Sequence, residues 1–319
     1  MTPETPSESP GDGRLPAVAD LWTQAPRTLL GQRIVQFAPV RVLLGLLFLA
    51  PPAALEIVGA SWSGAGLRAV TASTLTVGFM LGFAGFARVV ERRRPRELSA
   101  RGGLLEWVGG FALGFGLLSA TMGVLVVLGV YHVGRGGEPG AMLAGLLFFA
   151  PHALLEELLM RALVFKIAEE SIGSWAAMIF QAALFGALHL GNPGATAVGV
   201  VAIALEAGVL LAAAYMYTRR LWLVWGLHFG WNFAQGSLFG VRVSGTPISH
   251  SWLVSRPTGA DALTGGMFGV EASPVAVVFC LLAAGLLLRR VVRRGQVAGW
   301  TEQRRRVRAA IEGNANPGS

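Results

Sequence analysis

The 319-residue sequence is 53% hydrophobic and only 14% charged, and its mean hydropathy of +0.57 excludes an ordinary water-soluble domain. Its formal net charge of +8 does not point to nucleic acid. The arginines sit between and after apolar runs rather than on an amphipathic or aromatic-interleaved face, which makes anionic lipid the expected partner. The single cysteine, Cys280, lies inside an apolar run, so the sequence encodes no disulfide framework, thiolate metal cluster or redox pair.

Residues 1–36 are rich in Pro, Ser, Gly and acids and contain no early apolar core that would serve as a signal peptide. They predict a disordered tail leading into an interfacial segment. Apolar runs long enough to cross the hydrocarbon, which takes about 20 residues per helix, follow at 40–59, 68–88, 107–131, 141–166, 174–190, 196–217, 221–240 and 274–292. They predict an all-α, multi-pass membrane bundle of about eight transmembrane helices over 37–292, with a basic cytoplasmic tail over 293–319. The first run is interrupted by Pro51 and Pro52 and carries Glu56, so it is expected to kink. The long polar stretch 241–273 has room for a short re-entrant or surface element. No internal repeat and no soluble second domain is apparent.

The distribution of positive charge tests this count independently. With the N-terminus in the cytoplasm, the inner segments hold 21 of the 26 basic residues. They include the runs Arg92, Arg93, Arg94 and Arg304, Arg305, Arg306. The outer loops hold Arg68, Arg135, Arg242 and Arg256, and Arg161 lies within a span. An even number of spans with both termini cytoplasmic follows, in a cell membrane, with the C-terminal arginines anchored on anionic lipid.

Ionisable groups within the spans are the informative residues, because a charge near the bilayer centre costs about 2.5–3.5 kcal/mol on insertion scales and so faces a partner or a wet cavity. The fourth run holds Glu156, Glu157 and Arg161. Glu157 and Arg161 are four apart with the acid first, hence an ion pair on one helical face. Glu156 is rotated by roughly 100° from Glu157, which leaves it free for chemistry. Phe185 and His189 end the fifth run four apart, and His228 and Asn232 lie four apart in the seventh. Counted along each helix from the cytoplasmic side, Glu156, His228, Asn232 and His189 lie about 15, 11, 17 and 22 Å deep, within reach of one slab.

E-E-x-x-x-R at Glu156, Glu157 and Arg161, F-x-x-x-H at Phe185 and His189, and H-x-x-x-N at His228 and Asn232 together resemble the CPBP family of intramembrane proteases. That family includes the type II CAAX prenyl endopeptidases and the bacterial Abi or bacteriocin-processing relatives. The likeness covers about 140–240, and each motif falls on its own predicted membrane helix. Ala162 departs from the glycine that often follows the arginine in the family, and the long outer loop has no counterpart in the motifs.

Peptide hydrolysis needs a base for water, an acid for the leaving amine and donors for the oxyanion. Desolvation makes a carboxylate hold a proton more readily, which suits Glu156, with His189, to water activation. Asn232 is an amide donor that cannot act as a base, and suits an oxyanion hole beside His228. The resemblance implies the same roles, with Glu157 and Arg161 in support. A water-accessible cavity is expected between the fourth, fifth and seventh runs, and Glu206, midway along the sixth, is a supporting candidate at its wall. The expected enzyme needs no cofactor and no covalent nucleophile. Zinc held by Glu156, His189 and His228 is the alternative, disfavoured because H-E-x-x-H is absent and Asn is an unusual zinc ligand.

The expected substrate is a membrane-associated or lipidated peptide. A composition rich in Gly, Ala and Arg looks bacterial, so a farnesylated substrate is the less expected one. Blander readings exist for each residue: His189 and Asn232 could be interhelical hydrogen-bonding groups, His152 a side chain bonded to backbone, and Trp222, Trp225, Trp231 and Trp252 packing or interface aromatics. A scaffold, immunity protein or transporter would use the same polar cluster for binding alone. Repeat symmetry and paired broken helices, the marks of a transporter, are missing.

Overall fold

A computed structural model describes residues 37–59 and 65–300. The tail predicted over 1–36 and the arginines at 304–306 lie outside the described residues. Every predicted span is helical: α1 is Ala38–Gly59, α2 Ala65–Val89 and α3 Gly103–Val127. Helix α4 runs over Gly140–Ile172, α5 is Ser174–Leu188, α6 Ala197–Thr218 and α8 Pro274–Arg293. Helix α7 begins as Leu221–Asn232 and continues through a π-helical stretch, Phe233–Leu238. All but α7 are long and apolar enough to cross a membrane, and the chain is a multi-pass membrane protein.

Helix α7 falls short on composition because it carries His228, Asn232 and Gln235. It is also largely buried, between α3, α4 and α6. A polar helix is tolerable in a bilayer when other helices, not lipid, surround it. Its contact with α3 is the most extensive in the molecule and depends on small residues. A Cβ on Gly110 or Gly114 would meet the carbonyl oxygen of Leu223 or Leu227 at 2.1 or 2.0 Å, and one on Gly226 or Gly230 that of Trp107 or Phe111 at 2.1 or 2.3 Å. Each helix thus presents a G-x-x-x-G face, and the two backbones touch.

Helices α4 and α6 contain π-helical stretches, Leu158–Phe165 and Ala204–Gly208. Such widened turns loosen the regular ladder and collect at functional sites. In α6 the carbonyl of Ala207 accepts from Arg161 Nη2 at 2.9 Å, and that of Gly208 from Gln181 Nε2 at 2.6 Å. Side chains of α4 and α5 therefore hold α6 in place.

The predicted outer loop is folded. Strand β1, Tyr131–Gly134, pairs antiparallel with β2, Val254–Pro257, with Tyr131 opposite Pro257. A turn at Asp261–Thr264 and a 3₁₀ turn at Val270–Ala272 lead into α8. Gly245, at φ +84°, lies where a Cβ would press on the Gly194 backbone, so the loop closes against the end of α5. At the other end of the bundle the chain after α8 also packs: Arg219 Nη2 donates to the Gln296 carbonyl at 2.6 Å, and Ser174 N to that of Ala298 at 3.0 Å. The chain just past α8 thus packs on the end of the bundle that carries Ser174 and Arg219.

A buried ion network joins α1, α2 and α4. Glu91, just past α2, accepts from Arg41, from Arg93 at 2.6 Å and from Lys166 at 3.1 Å. Burial alone would raise its titration, but the charges of Lys166, Arg93 and Arg41 together outweigh burial and hold it at about 2 against an ordinary 4.5. Because the folded value is depressed, this stabilisation is full above the unfolded value and is lost as pH falls toward 2. Glu91→Gln is expected to cost on the order of 3–5 kcal/mol at neutral pH, since it leaves buried cations uncompensated. Thermal unfolding in detergent at pH 7 checks this; an unchanged midpoint would remove the network from the account of stability.

Candidate functional site

Helix α4 delivers Glu156 and Glu157 side by side at the entry to its π-helical stretch, and their environments differ. The Glu156 side chain is 39% exposed and Glu157 is fully buried. Arg161 Nη1 donates to Glu157 Oε1 at 3.0 Å, the i,i+4 pair expected from spacing. His228 of α7 completes the arrangement. Its Nδ1–H donates to Glu157 Oε1 at 2.7 Å, and its Nε2 lies 3.8 Å from Glu156 Oε2. Glu157 therefore does more than neutralise Arg161: it holds the Nδ1 proton of the histidine and sets the tilt of its ring.

Phe185 of α5 explains why an aromatic stands one turn before His189. The Arg161 guanidinium lies over its ring, 4.9 Å from the centroid, a cation–π contact. The same ring is 4.6 Å from His189 and 6.4 Å from His228, centroid to centroid. One phenyl group thus closes the buried ion pair and spaces two imidazoles. His189, in the 3₁₀ turn after α5, donates Nδ1–H to the Phe185 carbonyl at 2.7 Å. Its Nε2 remains as the acceptor of the neutral ring. His152 makes the same bond to the Phe148 carbonyl, at 2.7 Å, with its ring tilted against that of Phe148, and it lines the same cavity as Glu156.

Glu156, His189, His228, Asn232 and Glu206 all line one cavity of about 610 Å³, whereas Arg161 and Glu157 lie behind its wall. The sequence placed this cavity between the fourth, fifth and seventh spans. The structure adds α6, through Glu206 and Leu210, and α1, through Val42 and Leu46. It also adds the outer loop, through Ser244, Thr246 and Glu271. Trp225 Nε1 donates to the Ala150 carbonyl at 2.8 Å, tying α7 to α4 beside the cavity as a packing aromatic. Among the described residues no three His, Cys, Asp or Glu side chains converge as a group that could hold a metal ion.

Two contributors were not anticipated. Glu271, buried in the 3₁₀ turn before α8, accepts from Ser244 N and from Ser244 Oγ, the latter at 3.1 Å. These partners are 27 residues apart, and no periodicity relates them. Asn192 Nδ2 donates to the Ser244 carbonyl at 2.6 Å and so anchors the same loop to the chain just after His189.

Residues 138–234 match the family model described as type II CAAX prenyl endopeptidase Rce1-like. This interval contains all three motifs and excludes α1, α2, α3 and α8. No curated protein and no solved structure matches the chain.

Proposed function

With residues 138–234 assigned to the CPBP/CAAX protease family, a family of peptidases, we propose that the protein is an intramembrane endopeptidase that hydrolyses membrane-associated or lipidated peptides with an activated water. The observation that carries the reading is the pair of adjacent glutamates in opposite circumstances: one ion-paired in the dry interior, the other open to a cavity that His189, His228 and Asn232 also line.

In the proposed reaction Glu156 takes a proton from water as its oxygen adds to the peptide carbonyl, with His189 Nε2 accepting from the same water. The carbonyl becomes an oxyanion. The Asn232 amide donates to it, as does the Nε2–H of His228 in its imidazolium form, the ring whose Nδ1–H Glu157 holds. The proton on Glu156 passes to the departing nitrogen as the C–N bond breaks, leaving an acid and an amine. Arg161 holds Glu157 in place through its hydrogen bond at 3.0 Å. No step calls on a metal: Glu156, His189 and His228 are donor types that zinc accepts, but H-E-x-x-H is absent and the neighbouring Asn232 is an unusual zinc ligand. Anionic lipid is proposed to hold the arginine-rich face at the inner surface of a cell membrane.

The test compares new peptide termini in membranes of cells carrying the wild-type protein or Glu156→Gln at matched expression. Termini present only with the wild type are the expected result, and they name the substrate. Identical sets from two proteins that both retain their cellular effect would favour a binding scaffold. A chelator titration of the purified protein then tests the metal-free mechanism, with unchanged cleavage expected.

A further inference from the structure

The cavity carries a charge pattern that water activation does not require. Three of its lining residues are glutamates, Glu156, Glu206 and Glu271, and none is lysine or arginine, in a chain whose net charge is +8. Glu206 sits in the π-helical stretch of α6, 2% exposed, and its Oε2 has no hydrogen-bond partner. Glu271, 3% exposed, is bonded to Ser244, which satisfies its oxygens without supplying positive charge. Both residues line the same cavity.

Other buried glutamates among the described residues are treated differently. Glu91 is paired with Arg41 and Lys166, Glu97 with Arg93, Glu157 with Arg161, Glu169 with Arg219, and Glu170 with Arg41 and Lys166. Burying a carboxylate without a counter-charge is expensive, and elsewhere this fold supplies one. At Glu206 and Glu271 no lysine or arginine is supplied, the basic group near Glu271 being the His189 imidazole, and both residues line an opening large enough for a peptide side chain.

We propose that Glu206 and Glu271 form a subsite for a basic group, the ammonium or guanidinium of a lysine or arginine side chain in the peptide that enters the cavity. The proposal rests on reading the cavity as the peptide site and adds a substrate class to it: peptides with a basic residue close to the bond that is cut. The missing counter-charge then arrives with the substrate, and a peptide lacking it leaves two acids unpaired, which is a basis for selection.

The test is a binding measurement that involves no cleavage. Full-length protein carrying Glu156→Gln, in neutral detergent, is titrated with dodecylguanidinium and with dodecylurea, its uncharged counterpart of the same length. The guanidinium is expected to bind about tenfold more tightly or better, the yield of one charge-assisted hydrogen bond. Adding Glu206→Gln and Glu271→Gln is expected to abolish the preference. Equal binding by the parent protein, or a preference that survives both substitutions, overturns the subsite.

If the triple variant does not fold, a photoreactive alkylguanidinium replaces it. Label on α6 and on the 241–273 loop supports the proposal, and label confined to other segments overturns it. A protein that prefers the guanidinium but releases no new termini in cells keeps the subsite and loses the protease reading, and the reverse result separates the two in the other direction.

Discussion

Glu156→Gln is expected to slow hydrolysis of a reporter peptide by about a thousandfold or more, the range for loss of a positioned general base. It is also expected to leave the thermal unfolding midpoint nearly unchanged. Both halves follow from position. The side chain is 39% exposed, and its contact with His228 is at 3.8 Å, too long for a hydrogen bond. Glutamine retains the volume and loses the basicity. Glu157→Gln should behave differently. Glu157 is fully buried and partnered by both Arg161 and His228, so a neutral amide there leaves an arginine uncompensated in the interior and a histidine free to turn. Its expected signature is a large fall in both rate and stability, on the order of 3–5 kcal/mol for the broken buried pair. Single-turnover cleavage and unfolding in detergent, measured on both variants, check the contrast. Full activity in Glu156→Gln would end the water-activation role, and a loss of stability equal to that of Glu157→Gln would make Glu156 a structural residue.

The membrane helices and the Glu157–Arg161 pair were legible in the sequence because each is a local pattern: an apolar run of fixed length or a spacing of four residues. At the start of the third span a charge misplaced the boundary. The third span was expected from 107, but α3 starts at Gly103. Glu106 can sit inside its first turn because Arg220 reaches it, and a count that treats a charge as a boundary does not see the partner. The expectation that α7 crosses like the others rested on its aromatic and aliphatic residues. Its polar residues are accommodated instead by burial among α3, α4 and α6. The bond from His228 to Glu157 joins residues 71 apart in the chain, and no periodicity reports that. The three motifs did place both residues in one site. Glu271 was out of reach for the same reason, since its place in the cavity depends on the outer loop folding back. One missed signal was present throughout: Gly110 and Gly114, with Gly226 and Gly230, are two G-x-x-x-G pairs in apolar segments, a recognised mark of close helix contact.

Those glycines carry the other large expectation. Gly226→Leu is expected to prevent recovery of folded protein, whereas Gly116→Leu is expected to be tolerated. At Gly226 the first added carbon already lies 2.1 Å from the Trp107 carbonyl oxygen. The obstacle is backbone, so no rotamer relieves it, and the cost should exceed the about 1–3 kcal/mol typical of an overpacked core. The same substitution on the exposed side of α3, at Gly116, meets nothing within 4 Å and adds apolar surface toward lipid. Both variants change a glycine in a membrane helix to the same residue, so propensity and hydrophobicity cancel in the comparison and the helix contact remains. Monodispersity and thermal unfolding in detergent measure it. The consequence for chemistry is direct: His228 lies between Gly226 and Gly230 on α7, and Asn232 follows one turn later. Separating α7 from α3 therefore moves an imidazole that stands 2.7 Å from one glutamate and 3.8 Å from another. If Gly226→Leu folds with an unchanged midpoint, α3 and α7 do not meet at this face, and the placement of His228 needs another cause.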